Sequence, residues 1–143
     1  MFGEVCICAF RWIWLFVIML LLAGCQPSYW VLEKDRLDEV TDIKIYVNDL
    51  QMHDDVKGYQ VFTISEGKKM VVVSLGSSDK DKKLEVSDVK YSPKETIVTV
   101  KRKPALKANE KNPYILIGLD KIEGDLIVQD ELGDRFEETD DQQ

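Results

Sequence analysis

Thr96-Ile97-Val98-Thr99-Val100 alternates β-branched apolar and polar side chains over five positions, and most of the chain after it and before it repeats that signature. β-branched residues in a period of two fit a pleated, half-buried strand and not a helix. Ile43–Val47, Gly58–Ile64, Met70–Leu75, Leu84–Val86, Val89–Tyr91, Tyr114–Leu119, Asp125–Gln129 and Arg135–Glu137 read the same way. Turn residues punctuate them. Ser65-Glu66-Gly67-Lys68 closes a hairpin with a glycine free to take a positive φ. Ser92-Pro93-Lys94-Glu95 puts proline at the second position of a turn. Asp130-Glu131-Leu132-Gly133-Asp134 is a hairpin loop with Gly133 at the left-handed position. Ser87-Asp88 shifts the alternation between two strand pieces, which a β-bulge would restore. No segment sustains a helical period. The spacing predicts an all-β fold: one small, mainly antiparallel sandwich or barrel-like domain of seven to eight strands, spanning residues 43–138.

Val72 and Val98 are expected to be interior residues of two strands of the same core, each lying mid-strand among β-branched neighbours. Glu138 to Gln143 is an acidic and amide stretch, and residues 139–143 are expected to form a disordered tail.

The first 24 residues follow a different rule. Trp12 to Gly24 is an almost unbroken apolar run with Arg11 just before it. A positive residue, an apolar core and small residues at its end are the layout of a secretory signal. The run is shorter than the ~20 residues of a spanning helix. It closes on Leu22-Ala23-Gly24-Cys25, which resembles the lipobox of bacterial lipoproteins. The resemblance implies that the Cys25 thiol takes a diacylglyceryl group as a thioether and that the chain is cut between Gly24 and Cys25. The competing reading takes Val5 to Gly24 as an uncleaved anchor broken only by Arg11. Either way the body is tethered to a cell membrane, facing outside the cytoplasm, on a bacterial surface of the Gram-positive type. Residues 25–42 are expected to be the tether.

Cleavage also decides what the three cysteines can do. Cys6 and Cys8 leave with the signal and Cys25 is consumed by lipid, so the remaining 119 residues hold no thiol for a disulfide, a metal or a nucleophile. They carry 18 basic and 25 acidic groups, a net charge of -7. That balance excludes a nucleic-acid partner, because phosphate backbones attract basic faces. It also repels the body from an anionic membrane surface, so the domain is expected to stand off it.

Gly58 to Leu119 resembles the C-terminal domain of the PrcB family, lipoprotein partners of an exported protease. The likeness is carried by Lys69-Met70-Val71-Val72-Val73-Ser74-Leu75-Gly76, by the strand pair within Val86–Lys101, and by Asn112-Pro113-Tyr114-Ile115-Leu116-Ile117. Where that family has a Thr-Gly-Gly-Tyr loop, this chain has Ser77-Ser78-Asp79-Lys80-Asp81-Lys82. The resemblance implies a β-rich domain that binds a protein partner.

A catalytic set is not legible. His53 is the single histidine and sits in a polar connection, Asn48–Asp55, with no nucleophile marked beside it. No serine lies in a Gly-x-Ser-x-Gly context, and no phosphate or dinucleotide loop occurs. Asp79-Lys80-Asp81 and Asp130–Asp134 offer oxygen ligands without the EF-hand order, and turn aspartates bonding their own backbone explain both. Lys101-Arg102-Lys103, with Lys107 and Lys111, forms the basic cluster of an acidic chain. Lys101, Arg102 and Lys103 are the candidate partner-binding residues, weighed against a solvated strand end that protects a sheet edge. The expectation is a membrane-anchored, non-enzymatic protein-binding lipoprotein without cofactor or metal, held by lipid on Cys25. The alternative is a carrier for a small ligand or ion.

Overall fold

The computed structural model describes residues 12–15, 17, 28–106 and 110–139. Gly24, Cys25 and the rest of the lipobox lie outside the described residues, as do Lys107 and the tail 140–143. Residues 12–15 and 17 are helical and exposed, and among the described residues no helix is long and apolar enough to cross a membrane.

Among the described residues the body is a small all-β sandwich of eight strands in two four-stranded sheets. The strands are β1 (Tyr29–Val31), β2 (Lys57–Thr63), β3 (Lys69–Leu75), β4 (Lys82–Tyr91), β5 (Glu95–Pro104), β6 (Tyr114–Leu119), β7 (Asp125–Asp130) and β8 (Arg135–Phe136). The first sheet has the order β1-β6-β3-β2 and the second β4-β5-β7-β8. All pairs are antiparallel except β5 with β7, which run parallel.

The predicted turns form as their residues dictate. β2 and β3 pair from Lys57↔Leu75 to Thr63↔Lys69, with Gly67 at φ 75° and Glu66 also at positive φ. The Ser92 N–H donates to the Glu95 carbonyl at 2.9 Å. Gly133 sits at φ 88°. The register of β4 against β5 shifts between Val86 and Asp88, so Val86 and Val89 both face inward despite their odd separation.

One segment departs from its local pattern. Ile43–Val47 is not a strand but the first part of helix α1 (Thr41–Met52). Its β-branched residues lose to tertiary demand: Ile43, Val47 and Leu50, at i, i+4 and i+7, make one buried stripe. That stripe packs on Met70, Val72, Tyr114 and Leu116, which are the outward positions of β3 and β6. The inward positions, among them Val71, Val73, Ile115 and Ile117, meet Val98, Val100 and Val128 of the second sheet. β3 and β6 are therefore covered on both faces, which is why they read as continuous apolar runs and do not alternate. Val72 and Val98 are both fully buried, but in different cores: Val72 under the helix, Val98 between the sheets.

The expected tether is also part of the body. Residues 29–31 are a sheet strand, Lys34–Glu39 a 3-10 helix, and α1 begins at Thr41, so the folded region takes in residues 29–42 and does not start at residue 43. Thr139, placed in the tail by the sequence, is fixed as well: its N–H donates to the Tyr59 carbonyl at 2.8 Å, beside the parallel bridge Tyr59↔Glu138.

Candidate functional site

The strands bring their connections to two ends. Ser28, residues 64–68, 92–94 and 120–124 lie at one end. There the Tyr91 hydroxyl donates to the Ser28 carbonyl at 3.1 Å. Residues 76–81, 105–106, 110–113 and 131–134 lie at the other. The Ala105 N–H donates to the Asp81 carbonyl there.

The basic cluster is divided by the pleat. Arg102 shares the inward parity of Val98 and Val100, while Lys101 and Lys103 point to the outer face of the second sheet. Arg102 is 27 % exposed and its Nη1 donates to Asp130 Oδ2 at 3.1 Å, a carboxylate only 5 % exposed. Its Nε lies 3.5 Å from Asp79 Oδ2, and its guanidinium stands 5.9 Å from the Phe136 ring centroid. Asp130 Oδ1 in turn accepts the N–H groups of Leu132 and Asp134, fixing the β7–β8 loop. Arg102 is thus a tie between loops and leaves the group of solvent-facing cations. Asp79 and Asp130, weighed in the sequence as calcium ligands, are spent on that guanidinium, and among the described residues no group of three or more ligating side chains is placed to hold a metal.

On the outer face, Lys103 Nζ meets Glu85 at 2.9 Å and Lys83 approaches the same carboxylate at 3.6 Å. The hydrogen bond from Lys103, with the charges of Lys103, Lys83 and Lys101, holds Glu85 below the usual carboxylate range. Lys101 stands opposite Glu85 in the register. His53 caps α1, its exposed ring 3.0 Å from Asp49 one turn earlier, and among the described residues no third group orients it.

Two features escaped the sequence. Asn112, in the loop before β6, is fully buried: its Nδ2 donates to the Val56 carbonyl at 2.8 Å and its Oδ1 accepts the Gly76 N–H at 2.8 Å. Gln51 of α1 clasps the same loop, accepting from the N–H of Lys111 and Asn112 and donating to the Asn112 carbonyl. An asparagine before a proline reads as an ordinary turn residue, and nothing local marks it as the pin between helix and sheet. The second is a groove of about 430 Å³ between α1 and β2, bordered by Asp42, Ile45, Asp49 and Met52 and floored by Tyr46 and Phe62.

Tyr114 lies under this helix layer. Burial first, and the nearby Glu110 carboxylate second, push its phenol up to about 12. Lys34 Nζ stands 4.2 Å over the ring and pairs with Glu110.

No family model matches the chain, and no solved structure matches it. Over 135 residues, 94 % of this chain and 98 % of the relative, it is 85 % identical to the uncharacterized protein YycS of Bacillus subtilis (strain 168). At that identity and coverage, the chain belongs to the family of YycS.

Proposed function

We propose that this protein is an extracytoplasmic lipoprotein, held to the cell membrane by lipid on Cys25, whose sandwich is a non-enzymatic module that binds a protein. The observation that carries the reading is Leu22-Ala23-Gly24-Cys25 at the end of the apolar run. Two acyl chains at about 0.8 kcal/mol per buried methylene anchor firmly where one would not. The resemblance of Gly58–Leu119 to the PrcB domain supports a partner that is itself exported, such as a protease to be stabilised or regulated.

The fold sharpens the geometry of such an anchor. Three residue steps separate Cys25 from Ser28, which bridge at most ~11 Å when fully extended. The Ser28 end of the sandwich is then held near the headgroups, in place of the distant stand-off that charge alone suggests. The opposite loops point outward, among them Ser77–Lys82 at the position of the PrcB-type Thr-Gly-Gly-Tyr loop. In-cell crosslinking with mass spectrometry tests the reading. A reproducible exported protein, crosslinked through the outward loops, is the expected result; recovery of none under several growth conditions would sink it.

A further inference from the structure

β4 is the long edge strand of the second sheet. Among the described residues the other edges are short or partly covered: β1 has three residues, β8 two, and β2 is bonded at Tyr59 by Glu137 and Thr139. The bonds of β4 to β5 fix which of its backbone groups are spare. The Ala105 N–H donates to the Asp81 carbonyl and the Ser92 N–H to the Glu95 carbonyl, each at 2.9 Å. Antiparallel bonding alternates inward from these two ends, so Lys83, Glu85, Asp88 and Lys90 bond to β5. Leu84, Val86, Val89 and Tyr91 turn their N–H and C=O groups out to the edge. The side chains of Leu84, Val86 and Val89 pack on the core between the sheets, and Tyr91 reaches across to Ser28. Val86, Val89 and Tyr91 are only half-buried at this open side.

The bulge decides what can pair there. It reverses the alternation at Ser87-Asp88, so the inward residues are Leu84 and Val86 before it, Val89 and Tyr91 after it. A strand of unbroken alternation matches faces with only half of this edge. A second β4, antiparallel, carries the same reversal and matches all of it. Centred between Ser87 and Asp88, such pairing sets Leu84 against Tyr91, Val86 against Val89 and Glu85 against Lys90, each twice. The first two pairs are those whose spare backbone groups then meet. Centred one residue earlier, it would set Lys83 against Lys90 and Glu85 against Asp88. Centred one residue later, it would set the outward Asp88 against the inward Val89.

The outer face of this sheet carries both signs of charge, sorted along its length. Lys83, Lys101 and Lys103 surround Glu85 in the half toward Lys82. Asp88, Glu95 and Asp125, with Lys90, occupy the half toward Tyr91. Between them lie Arg135, level with Thr99 through Gln129, and Glu131, bonded by the Ser87 hydroxyl. Antiparallel pairing lays the cationic half of each copy beside the anionic half of the other.

We infer that β4 is a self-pairing edge: two copies join their β4 strands about a two-fold axis into one continuous eight-stranded sheet. Near the axis each Asp88 meets the other copy's Ser87 and keeps its own Lys90 at 3.8 Å. The Ser28 ends emerge on opposite sides of the axis, so a pair lies along a membrane that holds both copies, whereas a single copy stands on it. The inference does not rest on the anchor being lipid.

Full-length copies with two different epitope tags, co-expressed and extracted in non-ionic detergent, test it. One copy carries Glu85→Cys and the other Lys90→Cys. The two positions face each other as a non-hydrogen-bonded pair, the closer kind, within reach of a disulfide. Mild oxidation should join the two tags about tenfold more than in two Glu85→Cys copies, two Lys90→Cys copies or wild type, whose thiols lie several residues apart across the seam or outside it. Without added cysteines, wild-type copies should co-precipitate, and Glu85→Lys alone or Lys90→Glu alone should lower recovery about tenfold. A mixture of one Glu85→Lys copy with one Lys90→Glu copy should recover, because each reversed residue then meets a reversed one, and that recovery excludes misfolding as the cause of the loss. Failure of wild-type copies to associate would overturn the inference. So would mixed cysteines that join no better than like ones, or a mixture that stays apart. A disulfide from Glu85→Cys to a different protein, in place of the second copy, would overturn the choice of occupant.

Discussion

Trp30 lies directly over Gly118, its partner across β1 and β6, so that a methyl group built on Gly118 would overlap the indole ring carbons. The ring fills the place a side chain would take on the helix side of the sheet, in register with Met70 on the next strand. Lys68 Nζ stands over the half-buried ring, 5.6 Å from its centroid. Through this contact the strand nearest the proposed anchor is locked into the body.

Gly118→Ala should therefore displace Trp30 and loosen β1, costing about 1–3 kcal/mol as overpacking of a tight site does. Once the signal is cleaved Trp30 is the single tryptophan, so its fluorescence reports the change. A red-shifted emission with a lowered melting temperature is the expected outcome. Unchanged emission would mean that the indole does not rest on Gly118.

Arg102 and Lys101 are neighbours in sequence with different tasks. Arg102→Glu places a second carboxylate against the buried Asp130 and should cost about 3 kcal/mol, the low end for breaking a buried pair, since the guanidinium is partly exposed. Lys101→Glu should cost under about 1 kcal/mol, as surface charges do. Urea unfolding of the two variants decides between this assignment and a single solvent-facing cluster; equal losses would contradict it.

Tyr114 gives the domain an alkaline limit. Its phenol is raised from an ordinary value of 10 to about 12 in the fold, so the folded state holds the proton where the unfolded chain has lost it. The contribution is whole below pH 10 and falls as the pH climbs from there to about 12. Thermal melts from pH 9 to 12 should show that decline, and Tyr114→Phe should flatten part of it. The same slope in the phenylalanine variant would assign the loss elsewhere, with Tyr59, also raised by burial, the next to test.

Strands whose neighbours in sequence are also their environment were legible. Thr96–Val100 alternates because one face meets the core and the other solvent, and the β4 bulge followed from a parity count. Where tertiary packing overrides local preference the reading failed. Ile43–Val47 has strand composition, yet the outer face of β3 and β6 needed a lid, and the stripe Ile43, Val47, Leu50 supplied one. Tyr29–Val31 looked like linker because the feature that docks it, a glycine with no side chain, lies 88 residues further on at Gly118. The basic cluster was legible as composition only: the pleat that turns Arg102 inward toward Asp130 depends on a partner 28 residues away.

If Cys25 carries the membrane anchor, as proposed, the intact mass of the protein extracted from membranes reads it out. The expected result is a chain beginning at Cys25 and heavier than its 119 residues by a diacylglyceryl group and an acyl chain, with Cys25→Ser accumulating as full-length precursor or leaving the membrane fraction. A wild-type protein that keeps Met1 and bears no lipid, or a Cys25→Ser protein cleaved and anchored like wild type, would contradict it.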